Sequence, residues 1–570
     1  MNTLILTLLT GWQSVGWPDA GKAVQPQTRP AAAEAMRKAG ESQSLVAPAP
    51  GLAAQGRVQA GADPMPLTGL AASHRVKNLC LYTYPVSTRV PECQLHIDQG
   101  LGFFYSYVWM EAARSFETAT RLDPDCAMAW WCLGRACEKW GPASKHTAKV
   151  YKTAGSLRAK ADSRERLIIR AALLAQGLEP GAGDGEARKR AAIQQVDELL
   201  AQYPDDQEGW YFRAQLAAGG MFGGSVAGVP FYHSLLQVNP LHPGANHELV
   251  HFYEGFQRPS LGWKFAGKYI ESSPGIPHPH HMQAHLATRL GRWGRTGELS
   301  TRAIELEQAY HRDFGVLPKD DHQYAHHLEI LLISLIHDGR FSQAQALVQQ
   351  IREAKVTLPN PWFRLAMATQ DGTLATEVID GQRQREKQQA AHMAALWAWR
   401  AGDTGRLSAE VDVLRLLRSQ KRDDRRLDLL LWEAQGLLAC EQGDRVGGMK
   451  LLKRCVDRTK DDFGHHAWGN GAYHMEQWGL GALQVGDSSQ AEEAFLEALA
   501  HDPASCRAAI GLRILAEQVG NTARAEQYAA LAARCWARAD PGSLAVLETW
   551  IRSLSGSTKA PSITASVSRK

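Results

Sequence analysis

Histidine is the residue whose placement first suggests chemistry. Of the 21 histidines in this 570-residue chain, eleven fall between His242 and His327. His247 and His251 stand four apart, as do His281 and His285, and the second pair follows the first by 34 residues, member for member. A third pair, His322 and His326, comes 41 residues later. Side chains at i and i+4 share one helical face, with β-carbons about 5–6 Å apart. On neighbouring helices packed about 8–10 Å apart, such imidazoles can converge on one ion, bound about 2.0–2.1 Å from each nitrogen. The spacing therefore predicts that His247 and His281 reach a common atom. They would stand on a wall that also carries His251, His285, His322 and His326, with Glu329 as a further ligand. Glu248, Glu254, Asp320 and Asp321 lie close in sequence. Histidine with carboxylate and no thiolate suits a divalent zinc, iron or manganese ion better than copper(I) or a cluster. The competing reading is that these histidines are interhelical hydrogen-bonding groups in a polar groove.

His247-Glu248-Leu249-Val250-His251 also spells HExxH, in which two histidines hold zinc and the glutamate polarises a water. Glu248 is thus the catalytic candidate of a zincin peptidase reading. That reading is remote. The motif follows Pro243-Gly244 at a helix start, no strand-rich half surrounds it, and Gln283 stands where a duplicated base would be.

The elements that must carry these residues are helices. Ala, Leu, Gln, Glu and Arg dominate the middle of the chain, and β-branched alternation is rare. Ala112, Phe116, Ala119 and Pro124 stand at offsets that Ala491, Phe495, Ala498 and Pro503 repeat with the same residue types. Three of the four positions share a helical face, and the proline stops the next turn. Gly486-Asp487 and Gly520-Asn521 each precede an alanine by five residues and recur at 34, with Gly339-Arg340 and Gly443-Asp444 as further copies. Glycine there supplies the left-handed cap between two helices.

On these residues the chain resembles the tetratricopeptide repeat (TPR) family, whose 34-residue unit is a helix–turn–helix. The resemblance covers roughly residues 97–545, with strong units at 97–140, 240–310 and 465–535. It implies an all-α fold, a right-handed α-α superhelix in which the first helix of each hairpin lines a concave groove. It also implies an interaction scaffold that binds a protein or peptide there. Lys145–Ala175 and Leu374–Leu417 miss the consensus and read as atypical units or insertions. A narrower resemblance is to a histidine-rich bacterial TPR subgroup. It rests on His242-Pro243-Gly244-Ala245-Asn246-His247 with Val250-His251, on His281-Met282-Gln283-Ala284-His285, and on Tyr324-Ala325-His326-His327-Leu328-Glu329-Ile330-Leu331. It departs at Gln283-Ala284 and Glu329, and it implies that His247, His251, His281, His285 and His326 belong together without naming a reaction.

Composition bounds the rest. Hydrophobic content of 44% and charged content of 21% place the chain among folded proteins, and its length exceeds one compact core. Lys plus Arg (63) nearly balances Asp plus Glu (59) with no long basic block, so no nucleic-acid footprint is expected. Nine cysteines without a CxxC indicate neither a disulfide framework nor a thiolate zinc site. No window is apolar enough to span a membrane. Residues 1–75 read as a disordered leader. The chain is then cytoplasmic, or exported if residues 1–23 act as a signal peptide. Residues 76–345 read as a first array containing the histidines, 346–460 as atypical repeats, 461–545 as further TPR units and 546–570 as a disordered tail. His465, His466 and His474 read as a surface helix start, and the tryptophans as core wedges.

Overall fold

A computed structural model describes residues 64–180, 182–218, 226–421, 424–460 and 472–556. These belong to the second of two contact units, Val58–Lys570; the first, Met1–Arg57, lies outside the described residues, and with it the leader's signal-like segment. Among the described residues there are helices and connections but no strand. Consecutive helices pair into antiparallel hairpins, from Pro91–Tyr105 with Trp109–Leu122 to Cys506–Gln518 with Thr522–Cys535, followed by a last helix, Ser543–Leu554. The fold is the expected all-α superhelical array. Lys145–Ala175 and Leu374–Leu417, irregular by consensus, also fold into paired helices such as Lys387–Ala401 with Thr404–Gln420.

The repeated residues form the turns and the close approaches. Gly486 has φ +69°, Gly520 +71°, Gly339 +70° and Gly443 +77°, all left-handed. At Gly486 the first helix ends with Gly486 N–H donating to Leu483 O (3.2 Å) and Asp487 N–H to Ala482 O (2.8 Å). The Asp487 carboxylate then caps the next helix by accepting from Gln490 N (3.1 Å). One Gly-Asp dipeptide therefore closes one helix and opens the next. The aromatic of the repeat fills space left by glycine: Phe116 lies against Gly100, and Phe495 against both Gly479 and Gly511, where any β-carbon would collide with the ring.

Two large hydrophobic cores divide the array, with three small clusters beside them. One runs from Leu79 to Leu286 and includes Trp131, Phe116 and Tyr105; the other runs from Ile304 to Ile551 and includes Trp478 and Phe495. Each half curls until its ends touch. In the first, Tyr107 Oη–H donates to Glu248 (2.9 Å) and Tyr310 Oη–H to Glu111 (2.9 Å), tying the first hairpin to helices some 140 or more residues on. The strap before Pro91 joins in: Leu81 N–H donates to Ser272 O (2.7 Å) and Gly275 N–H to Leu79 O (3.1 Å). In the second half, Trp536 Nε1–H donates to His337 O (2.7 Å), and Asp540 accepts from Ser342 N (2.7 Å) and Oγ (2.8 Å).

At both ends the folded part reaches beyond the expected boundary. Residues 64–75, assigned to the leader, pack on the first hairpin because the Glu117 carboxylate accepts from Leu67 N (2.7 Å) and Thr68 N (2.8 Å), and Met65 is buried. Residues 546–554, assigned to the tail, belong to the helix Ser543–Leu554, which buries Ile551.

Candidate metal centre and groove

The histidines occupy the first helices of three successive hairpins, Pro243–Gly255, Pro277–Arg289 and His322–His337, where the two cores meet. They form two trios, His247 with His251 and His278, and His281 with His285 and His326. Within each trio one ligating atom per residue lies within 4.8 Å of the others.

In the first trio, His247 Nδ1 is 2.7 Å from Tyr105 O. A carbonyl only accepts, so Nδ1 carries the proton and Nε2 presents its lone pair. His278 Nε2 lies 3.0 Å from that atom. His278 Nδ1 and His251 Nε2 are buried without a hydrogen-bond partner. Burial, followed by the charge of neighbouring imidazoles, pushes His247 and His278 well below the ordinary histidine value, and burial, opposed by the Glu254 carboxylate, takes His251 down to about 4. All three are neutral and able to ligate at pH 7.

In the second trio, His285 Nδ1 faces Glu254 Oε1 (3.1 Å) and His326 Nδ1 faces Glu329 Oε2 (3.2 Å). Burial alone would raise the Glu254 carboxyl, yet His285 and Arg289, whose Nε is 3.0 Å away, hold it well below the carboxylate range. Carboxylates accept, so both histidines carry their protons on Nδ1. Their Nε2 atoms then confront each other at 3.3 Å. His281, pushed well below its usual value by burial and by the imidazoles around it, completes the group, 4.2 Å from His285 between ring centroids.

The second half lines a cavity of about 1160 Å³ that is partly open to solvent. First helices supply much of its wall: Arg364 and Met367 from Pro359–Thr369, Trp399 and Arg400 from Lys387–Ala401, Glu433 from Arg425–Glu441, and Arg507 from Cys506–Gln518, with Trp550 added by the last helix, Ser543–Leu554. Arg400 stands over the Trp550 ring, 4.0 Å from its centroid, and burial followed by the nearby Arg507 charge lowers it to about 10. Glu433 is engaged by His392 Nε2 at 2.9 Å. His474, expected at a surface, is buried beside the same carboxylate; His465 and His466 lie outside the described residues.

The hairpins, their left-handed glycine turns and their inward first helices agree with a match of residues 98–139 to the tetratricopeptide repeat family model. Residues 98–139 carry a tetratricopeptide repeat. Among solved structures, the TPR domain of P58(IPK) is 12% identical, with 75% of this chain and 99% of that one covered at a TM-score of 0.21. Yeast Tom70 is 14% identical over 81% of this chain and 95% of that one, at 0.28. Cut9–Hcn1 of the APC/C is 11% identical over 81% and 96%, at 0.28. No curated protein matches the sequence.

The stacking of the hairpins accounts for what spacing got right and wrong. First helices of successive repeats are neighbours, as expected, but they are staggered. Contacts therefore join residues 31 apart: His247 to His278, Glu254 to His285, and Glu476 to Arg507 at 3.1 Å. His247 and His281, expected on one ion, fall in different trios, because the partner of His247 sits about one turn before its 34-residue equivalent. His278 is the member that spacing missed; its signal is its place three residues before His281. His285 does meet His326, 41 residues on, through the longer unit between them. Glu329 orients His326 and stands outside the trio. The His322 side chain lies outside the described residues. Glu248 is buried and accepts from Tyr107 Oη (2.9 Å) and Tyr211 Oη (3.0 Å), so the peptidase reading loses its base to the packing. A third group, Cys93 and Cys126 with Asp123, joins cysteines one repeat apart that no local motif would pair.

Proposed function

We propose that this TPR array is an interaction scaffold, and that the interior of its second half takes up an acidic, partly apolar segment of a partner protein. The carrying observation is the cavity of about 1160 Å³. It exceeds the about 300–1,000 Å³ typical of small-molecule pockets, which supports a polymer segment as guest. Its charge supports an acidic one. Arg400 has Trp550 beneath it and no carboxylate within salt-bridge reach among the described residues, whereas Glu433 is already committed to His392. Trp399, Trp536, Trp550 and Phe363 line the same space and suit apolar or aromatic side chains between the acids. No helix among the described residues is long and apolar enough to cross a membrane.

The test is binding of fluorescent acidic and basic decapeptides to the full chain, with Arg400→Glu as the comparison. Acidic, aromatic-containing peptides should bind, weaken with added salt, and lose about tenfold or more in affinity in Arg400→Glu, as expected when a desolvated charge pair is replaced by a like-charge contact. Equal binding of both peptide classes, or an affinity that the reversal leaves alone, would overturn it.

A further inference from the structure

We propose that the histidine seam between the two halves binds two zinc-class divalent ions, one at His247, His251 and His278 and the other at His281, His285 and His326. The site does not depend on a guest in the cavity, which it adjoins at Glu329.

Geometry carries the inference. An ion held tetrahedrally at about 2.0–2.1 Å keeps neighbouring ligand nitrogens about 3.3 Å apart. The seam shows Nε2-to-Nε2 separations of 3.0 Å and 3.3 Å. In the second trio both Nδ1 protons are fixed by carboxylates, Glu254 and Glu329, so two lone pairs point at each other across 3.3 Å. That arrangement calls for a proton or a metal ion between them, and the third imidazole, His281, adds a donor that a single shared proton does not need. In the first trio Tyr105 O fixes the proton of His247 in the same sense, and the buried Nε2 of His251 has no hydrogen-bond partner. Three histidines of six therefore have Nδ1 held by an oxygen acceptor while Nε2 is offered inward, which is how metal-ligating histidines are ordinarily oriented.

The alternative occupant is chemistry of the same residues without metal: an N–H···N bond in the first trio and a shared proton in the second. It explains one contact in each trio and leaves the third histidine of each without a task. Nitrogen donors with carboxylates behind them and no thiolate favour zinc over softer ions. Three protein ligands per ion leave a fourth position for water or an anionic group.

The experiment uses the full chain stripped with chelator, loaded with zinc chloride, freed of loose metal by gel filtration and assayed for zinc per chain. His251→Gln and His326→Gln are the variants, because both residues are half-buried and their loss leaves each helix packed; far-UV circular dichroism verifies the fold. Two ions are expected in the wild type, one in each variant and none in the double variant. Glu329→Gln, which removes no ligand, should retain the stoichiometry while weakening the second site about 10–100-fold. Fewer than two ions in folded wild type overturns the proposal, as does a count that neither substitution lowers. A single shared proton, seen as protonation of the second trio with no zinc uptake, overturns it equally.

Discussion

The most exacting arrangement at the residue scale is Glu208. It is fully buried, accepts from Tyr82 Oη (2.9 Å) and from Tyr105 Oη, and pairs with Arg135 Nη1 at 2.6 Å. Arg135 is itself buried among the Phe104 and Trp131 rings. Removing one partner of such a pair strands the other charge, at a cost of about 3–5 kcal/mol. Glu208→Ala should therefore lower the thermal unfolding midpoint of the first half, which differential scanning calorimetry can read as an early transition while the second half unfolds as before. None of this was legible in sequence. Tyr82, Tyr105, Arg135 and Glu208 come from a strap and three different hairpins, and no periodicity links them. The histidines were legible in part, since i and i+4 pairs mark a shared face whatever the tertiary fold. Which imidazole meets which depends on the stagger between helices, and one turn of stagger exchanged His281 for His278 as the partner of His247.

Elements explain why the repeats were easier to read than the site. Gly-Asp turns and the small–aromatic–small pattern act within one hairpin, so sequence neighbours suffice to reveal them. The Phe495 ring occupies the volume that side chains would take at Gly479 and Gly511. Gly511→Ala should thus force the ring off its seat and destabilise the C-terminal repeats by about 1–3 kcal/mol, the usual range for overpacking, measurable as a shift in urea midpoint. The closing contacts obey other rules. Trp536 reaches His337 O, and Asp540 reaches Ser342, about 200 residues away in sequence. Trp536→Ala with Asp540→Ala should open the second half, seen as a larger radius of gyration in solution scattering, with the hairpins' helical signal unchanged. An unchanged radius would mean that packing of the first helices alone sets the curl.

For the whole molecule, acid is the informative variable. His242 and His96 are buried in the first half, and burial lowers them to about 3 and about 4 from an ordinary value of 6.5. Between those values the unfolded chain takes up protons that the folded chain refuses. Their contribution to stability is thus level above about pH 6.5 and declines as pH falls toward 4, by about 1.4 kcal/mol per pH unit for each such group. Asp98 and Asp206, whose carboxyls burial raises to about 6, act in the opposite sense, so the share of His242 is read as the difference in melting between metal-free wild type and His242→Gln from pH 8 to pH 4, which should shrink as pH falls. A difference that is constant over that range would mean that the His242 imidazole is reached by solvent.

The stagger of the first helices has a consequence for tolerance to change. An α-helix turns about 100° per residue, so one amino acid inserted between Gly255 and Pro277 would swing His278 away from His247 or shear the two hairpins apart. Surface replacements on the same stretch would leave that alignment untouched. The number of residues in each connection, more than their identity, is what this region has to conserve.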